Sequence, residues 1–169
     1  MLSMFNASIA PLKRALKNLS HILKKGEAHA DANGIEHSVF LNARLFADMY
    51  PLIRQVQIAT DMSKGAAARL AGLEIPKYED NEASFADLHA RIAKTLAFID
   101  MVKPAQLEGC ENHEITITVR KVDLHLTGEA YLFDWVLPNV YFHVTTAYNI
   151  LRHNGVELGK PDFLGPIYK

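Results

Sequence analysis

Four stretches of this chain set apolar residues in alternating steps of three and four, and only an amphipathic α-helix gathers such positions onto one face. The longest run passes through Leu41, Leu45, Met49, Leu52, Val56, Ala59, Ser63, Ala66 and Leu70. Pro51 falls inside it, so a kink near Tyr50 is expected, and Gly72 supplies the stop. An earlier run, over residues 2–25, steps through Phe5, Ile9, Leu12, Leu16, Leu19 and Leu23, with Ser3 or Asn6 as cap. Its Pro11 predicts a kink or a late start. Residues 26–37 carry two glycines, one in an Asn-Gly pair, and several charges, and read as a loop. A third run follows the polar connection 73–83: Ser84 with Asp87 forms a capping-box pattern, Phe85, Leu88, Ile92, Thr95 or Leu96 and Ile99 form the stripe, and Pro104 ends it. Pro138 opens the fourth helix. At about 100° per residue, Val140, Val144, Ala147 and Leu151 share one arc, flanked by Tyr141 and Tyr148 on one side and His143 and Ile150 on the other. Asn154 and Gly155 close it.

Between the third and fourth helices the period changes to two. Ile115, Ile117 and Val119 alternate with threonines, and Val122, Leu124 and Leu126 alternate with Lys121, Asp123 and His125. The change of parity predicts a hairpin turning at Arg120 and Lys121, residues poorly suited to tight turns, with its apolar face leaning on the helices. The tail carries Phe163, Leu164, Ile167 and Tyr168 and is expected to wrap over the bundle. The pattern as a whole predicts an all-α, antiparallel four-helix bundle with a small β-hairpin before the last helix, one domain over 1–169.

The charge balance of 18 Lys and Arg against 19 Asp and Glu leaves no basic footprint for nucleic acid or an anionic membrane. No apolar run approaches the length of a membrane span, and no basic stretch leads an apolar one at the start. The single cysteine, Cys110, forbids an intrachain disulfide and fits a reducing compartment, so a cytoplasmic protein is expected.

Chemistry has few footholds. None of the eight histidines has a partner three or four residues away, the spacing that would put two imidazoles on one helical face. His29, His37 and His113 fall in expected loops, and His21 and His89 lie off their stripes, which makes all five surface residues. His143 borders an apolar arc and is the candidate base or ligand-orienting group of a pocket between helices. Asp48 and Gln55, seven apart on the second helix, are its candidate partners, with Asp61 farther along. Trp135, Tyr131 and Phe133 are candidates for a pocket mouth. Glycine-rich phosphate loops, paired Cys-x-x-Cys motifs and nucleophile elbows are absent from the sequence, and Cys110 with His113 is too slight a pattern to carry nucleophilic catalysis.

Arg44, Leu45, Asp48, Met49, Pro51, Leu52 and Gln55, then Thr127, Gly128, Tyr131 and Leu132, then the run from Leu137 to Gly155, and finally Gly159, Lys160, Asp162, Phe163, Leu164 and Gly165 resemble a bacterial family of unknown function. That family lies within the DinB/YfiT-like superfamily of predicted metalloenzymes. The resemblance covers nearly the whole chain and implies the same bundle. It also implies a divalent metal held by one histidine of the second helix and a His-x-x-x-His pair of the fourth, and thiol-transferase or hydrolase chemistry in some members. Here only His143 stands at such a position, since 139 is Asn139, 147 is Ala147, and Leu41 to Leu70 holds no histidine.

The expected function is therefore a small-molecule or partner binding protein with a degenerate metal site and no cofactor, a homodimer through a helical face such as that of Tyr141 and Tyr148. The alternative is a metal-dependent hydrolase or thiol transferase with a rearranged site, its divalent ion on His143 with Asp48 or Asp61.

Overall fold

The computed structural model describes residues 3–166. Ile167 and Tyr168, expected in the wrapping tail, lie outside the described residues, as does Leu2.

The first apolar stripe folds as α1 (Met4–Asn33), capped by the Ser3 hydroxyl, which accepts the Asn6 N–H at 3.2 Å. The helix runs through Pro11 and continues eight residues past the expected end. Gly26 and Ala30 are the reason. Both are buried, and a Cβ on Gly26 would lie 2.9 Å from Leu151 Cδ2, so the small residues extend the packing face where the sequence reads as a breaker. Gly34, at φ 63°, ends the helix in the left-handed conformation.

The second stripe does not form one kinked helix. It divides into α2 (His37–Asn42) and α3 (Leu52–Leu70), joined by a bent segment over residues 43–51. Pro51, at φ −70° and ψ 168°, stands before α3 in extended conformation. Proline offers no N–H and drives its predecessor out of the helical region, so the chain breaks rather than bends. α4 (Phe85–Asp100) starts as its capping pattern predicts: Ser84 Oγ accepts the Asp87 N–H at 3.1 Å, and Asp87 Oδ2 accepts the Ala83 N–H at 3.0 Å.

Two short 3-10 turns, Pro104–Leu107 and Cys110–Asn112, lead into β1 (Glu114–Val119) and β2 (Val122–Thr127), paired antiparallel with Val119 opposite Val122. Ile115 and Ile117 are buried against the helices, while Val122 and Leu124 on β2 remain exposed. The turn is a two-residue one with both central residues at positive φ, Arg120 at 49° and Lys121 at 68°. Residues with a Cβ resist that conformation. The double substitution Arg120→Asn with Lys121→Gly is expected to add about 1 kcal/mol of stability, raising Tm by roughly 2–4 °C in a thermal melt.

The last long helix starts ten residues before Pro138. Thr127 caps α5 (Gly128–Ala130), accepting the Ala130 N–H at 3.2 Å; a π-helical turn spans Tyr131–Val136; and α6 (Leu137–His153) continues without a break. Pro138 therefore lies within the helix. Its ring excludes an ordinary hydrogen bond to the carbonyl four residues back, and a wide π turn is one arrangement that accommodates this. α7 (Lys160–Leu164) packs on α1, where Asp162 meets His21 at 2.9 Å and Lys25 at 3.1 Å, and Tyr148 of α6 meets Phe163 edge to face.

The four long helices α1, α3, α4 and α6 pack on one another, with the hairpin to one side. Gln55 meets His143 and Arg69 meets Tyr131, so α3 runs antiparallel to the chain from α5 to α6. Lys13 pairs with Asp100 and Ser20 with His89, which makes α1 and α4 antiparallel too. His89, expected at the surface, is half-buried in that seam. Among the described residues no helix is long and apolar enough to cross a membrane.

The polar connection 71–84 is held down by charge. Arg91 of α4 has a side chain only 2% exposed. It donates to Thr60 Oγ1 at 2.8 Å, Glu79 O at 3.0 Å, Glu82 Oε1 at 2.8 Å and Asp61 Oδ1 at 2.8 Å, and pairs with Asp80 at 3.0 Å. Gln57 donates to the other Glu82 oxygen at 2.7 Å, Arg54 pairs with Asp80, and Lys64 Nζ lies 2.7 Å from Asp61 and 3.7 Å from the Tyr78 ring centre.

Candidate functional site

The site residues singled out from the sequence fall into four places. His143 and Gln55 meet in the α3–α6 seam. His143 Nδ1 donates to Gln55 Oε1 at 2.7 Å, and Gln55 Nε2 donates to Tyr50 O at 2.9 Å, so the amide fixes the imidazole tautomer. Phe142 packs edge-on against the imidazole at 5.2 Å. Burial, and after it the charge of Arg54, pushes His143 down to about 4, which leaves it neutral at physiological pH.

Because His143 is held below its ordinary value, the unfolded chain takes up a proton between pH 6.5 and about 4 that the folded chain refuses. Stability from this residue is complete above pH 6.5 and lost as pH falls toward 4. The loss is expected to be on the order of 2–3 kcal/mol. Denaturant melts at pH 7 and 4.5 check it, and His143→Gln is expected to flatten that part of the pH profile.

Asp48 does not join this pair. The segment 43–51 is not helical, so seven residues between Asp48 and Gln55 do not place them on one face, and Asp48 is exposed with no ion pair among the described residues. Asp61 lies farther along α3, engaged by Arg91 and Lys64.

The positions around His143 do not supply the metal ligands that the resemblance implies. Gln55 is turned toward His143 as an acceptor, Asn139 donates to Trp135 O at 2.6 Å, and Ala147 is a buried methyl. Among the described residues no group of three or more His, Cys, Asp or Glu side chains is placed to hold an ion. The donor set does not fit the superfamily's site. Cys110 is buried, and burial pushes its thiol up, away from a nucleophilic thiolate, while His113 is exposed.

Trp135, Tyr131 and Asp61 do come together. They line a cleft of about 280 Å³ between α3, the π turn and β1, closed by Met62, Ile117 and Val119. The π turn brings Tyr131 and Trp135 to this cleft, whereas Phe133 faces a different hollow beside Met4 and Phe5. Tyr131 is 1% exposed; burial pushes its phenol above the ordinary value against the pull of Arg69, so it is neutral. Arg69 Nη1 donates to the Tyr131 oxygen at 3.1 Å. The sequence reading missed Arg69. The available signal was Gly65, four residues earlier on α3, where a Cβ would lie 2.7 Å from Arg69 Nη1. The glycine lets the guanidinium fold back along the helix toward the cleft.

This combination of long antiparallel helices, a hairpin and a cleft beside the α3–α6 seam is a DinB-like fold. It is similar to the crystal structure of a DinB family member protein from Shewanella denitrificans, with a TM-score of 0.92 and 41% identity over 98% of this chain and 94% of that one. The chain belongs to the domain of unknown function family DUF1993, whose model matches residues 4–164. No curated protein matches the sequence.

Proposed function

We propose that this protein is a DinB-like antiparallel four-helix bundle that binds a small molecule without a metal, in the cleft of Trp135 and Tyr131. The observation that carries the reading is the division of labour along α3: near its start Gln55 occupies the His143 imidazole with a hydrogen bond, while farther along, the aromatic cleft has room for a guest. The reading includes a cytoplasmic location and a homodimer through exposed apolar residues of α6 such as Tyr141; sedimentation measures the latter.

The test has two parts. Ligand-observed NMR against a library of acids, bases and neutral compounds is expected to give hits that compete with one another and are lost in Val119→Trp, which narrows the cleft. Elemental analysis of untagged protein purified without chelator is expected to find metal far below one per chain, equally in His143→Ala. Near-stoichiometric zinc, nickel or iron that vanishes in His143→Ala would overturn the reading in favour of metal-assisted hydrolysis or thiol transfer, and a library without hits would overturn the cleft.

A further inference from the structure

The cleft holds hydrogen-bond donors that the protein leaves unused. Arg69 makes no ion pair with any carboxylate among the described residues, and its polar partner there is the Tyr131 oxygen. Tyr131 receives that bond, and among the described residues its own hydroxyl proton meets no acceptor. The Trp135 indole N–H likewise has no acceptor among them. The carboxylate that shares the cleft, Asp61, has its Oδ1 engaged by Lys64 at 2.7 Å and Arg91 at 2.8 Å. Among the remaining walls Met62, Ile75, Ile117 and Val119 are apolar, and the Thr118 hydroxyl is spent on Asp123 at 2.7 Å.

We infer that the ligand of this cleft is a small monocarboxylate with a compact apolar body, its carboxylate on the Arg69 guanidinium and the Tyr131 hydroxyl and its body against Trp135 and Ile117. This rests on the cleft being the binding site. A planar guanidinium fork and an adjacent neutral hydroxyl match the two oxygens of a carboxylate. One unpaired positive charge balances one negative charge, and Asp61 at the same cleft disfavours a dianion. An uncharged ligand would leave a half-buried guanidinium without its counter-charge. Gly65 is part of the arrangement, because a side chain there would displace Arg69 from the position in which it meets Tyr131.

Trp135 is the only tryptophan of the chain, so its emission reports the cleft directly. Benzoate and 3-methylbutanoate are titrated beside the matched amides, benzamide and 3-methylbutanamide, at constant ionic strength. Both acids are expected to change the emission saturably, and the amides to bind at least about tenfold more weakly, as a charge-assisted bidentate contact requires. Arg69→Gln should bring the acids down to the level of the amides, and Arg69→Lys should fall between. Gly65→Ala keeps every charge and favours the helix, so it separates misplacement of Arg69 from misfolding; it too should weaken the acids. Amides binding as tightly as acids, or acids binding Gly65→Ala and Arg69→Gln as they bind the parent, would overturn the ligand class and leave the cleft standing. Emission unmoved by all four probes would overturn the cleft as the binding site.

Discussion

Arg91→Met is expected to destabilise the protein by about 3–5 kcal/mol, because removing one partner of a buried ion pair strands the others. Asp61, Asp80 and Glu82 converge on this guanidinium, and Glu82 has a side chain only 8% exposed. Burial alone would raise Asp80 and Glu82, but the hydrogen bonds from Arg54 to Asp80 and from Arg91 and Gln57 to Glu82, with the nearby charges, hold both below the ordinary carboxylate range. With folded values depressed, the stability they contribute is present above the unfolded carboxylate range and is lost as pH falls through the folded values. Urea melts at pH 7 are therefore expected to show the full deficit of Arg91→Met, and melts near pH 3 a smaller one. Adding Glu82→Gln to Arg91→Met should recover part of the loss. An unchanged urea midpoint at pH 7 would mean that the network is ornament to the fold.

Gly128→Ala is expected to cost about 3 kcal/mol, toward the upper end for an overpacked site. A Cβ at this position would lie 1.9 Å from the Cys110 carbonyl oxygen and 2.9 Å from its carbon, both backbone atoms. Neither can rotate aside. The Gly128 N–H donates to His113 O at 2.9 Å, so the close approach is also a hydrogen-bonded joint between the turn before β1 and the start of the last helix. The contrasting site is Gly26, where the clashing atom is Leu151 Cδ2, the end of a flexible side chain. Gly26→Ala should cost under about 1 kcal/mol, since helix propensity offsets part of the repacking. Thermal melts of the two variants side by side should differ by roughly 4–8 °C.

The helical stripes were legible because large apolar residues repeat wherever a helix buries a face: Leu12, Leu16, Leu19 and Leu23 are all fully buried. The turn at Arg120 and Lys121 was legible from parity alone, even though both residues argue against it. What could not be read are places where a residue's type points one way and its neighbours in space the other. Gly26 is a helix contact because Leu151 comes close, and nothing within residues 26–37 announces Leu151. Pro51 and Pro138 look alike on paper, yet one precedes a new helix and the other lies inside a continuous one beside a π turn. In the site, His143 and Gln55 were marked separately by their positions on apolar stripes, and their hydrogen bond joins residues 88 apart in sequence. Asp48 was drawn in by a helical spacing across a segment that is not helical. Arg91 sits between Leu88 and Ile92 on the buried side of α4, but a guanidinium on a stripe reads as its edge until the acceptors that surround it are known.

The chain between α3 and α4 has the composition of a protease-sensitive linker, yet its acidic residues and a backbone carbonyl reach a guanidinium inside the protein. Its order is thus conditional on protonation in a way that hydrocarbon packing is not. At neutral pH, amide hydrogens near Glu82 should exchange on the timescale of the adjoining helices; in acid this loop should open before them, exposing the α3–α4 seam while the leucine faces remain closed.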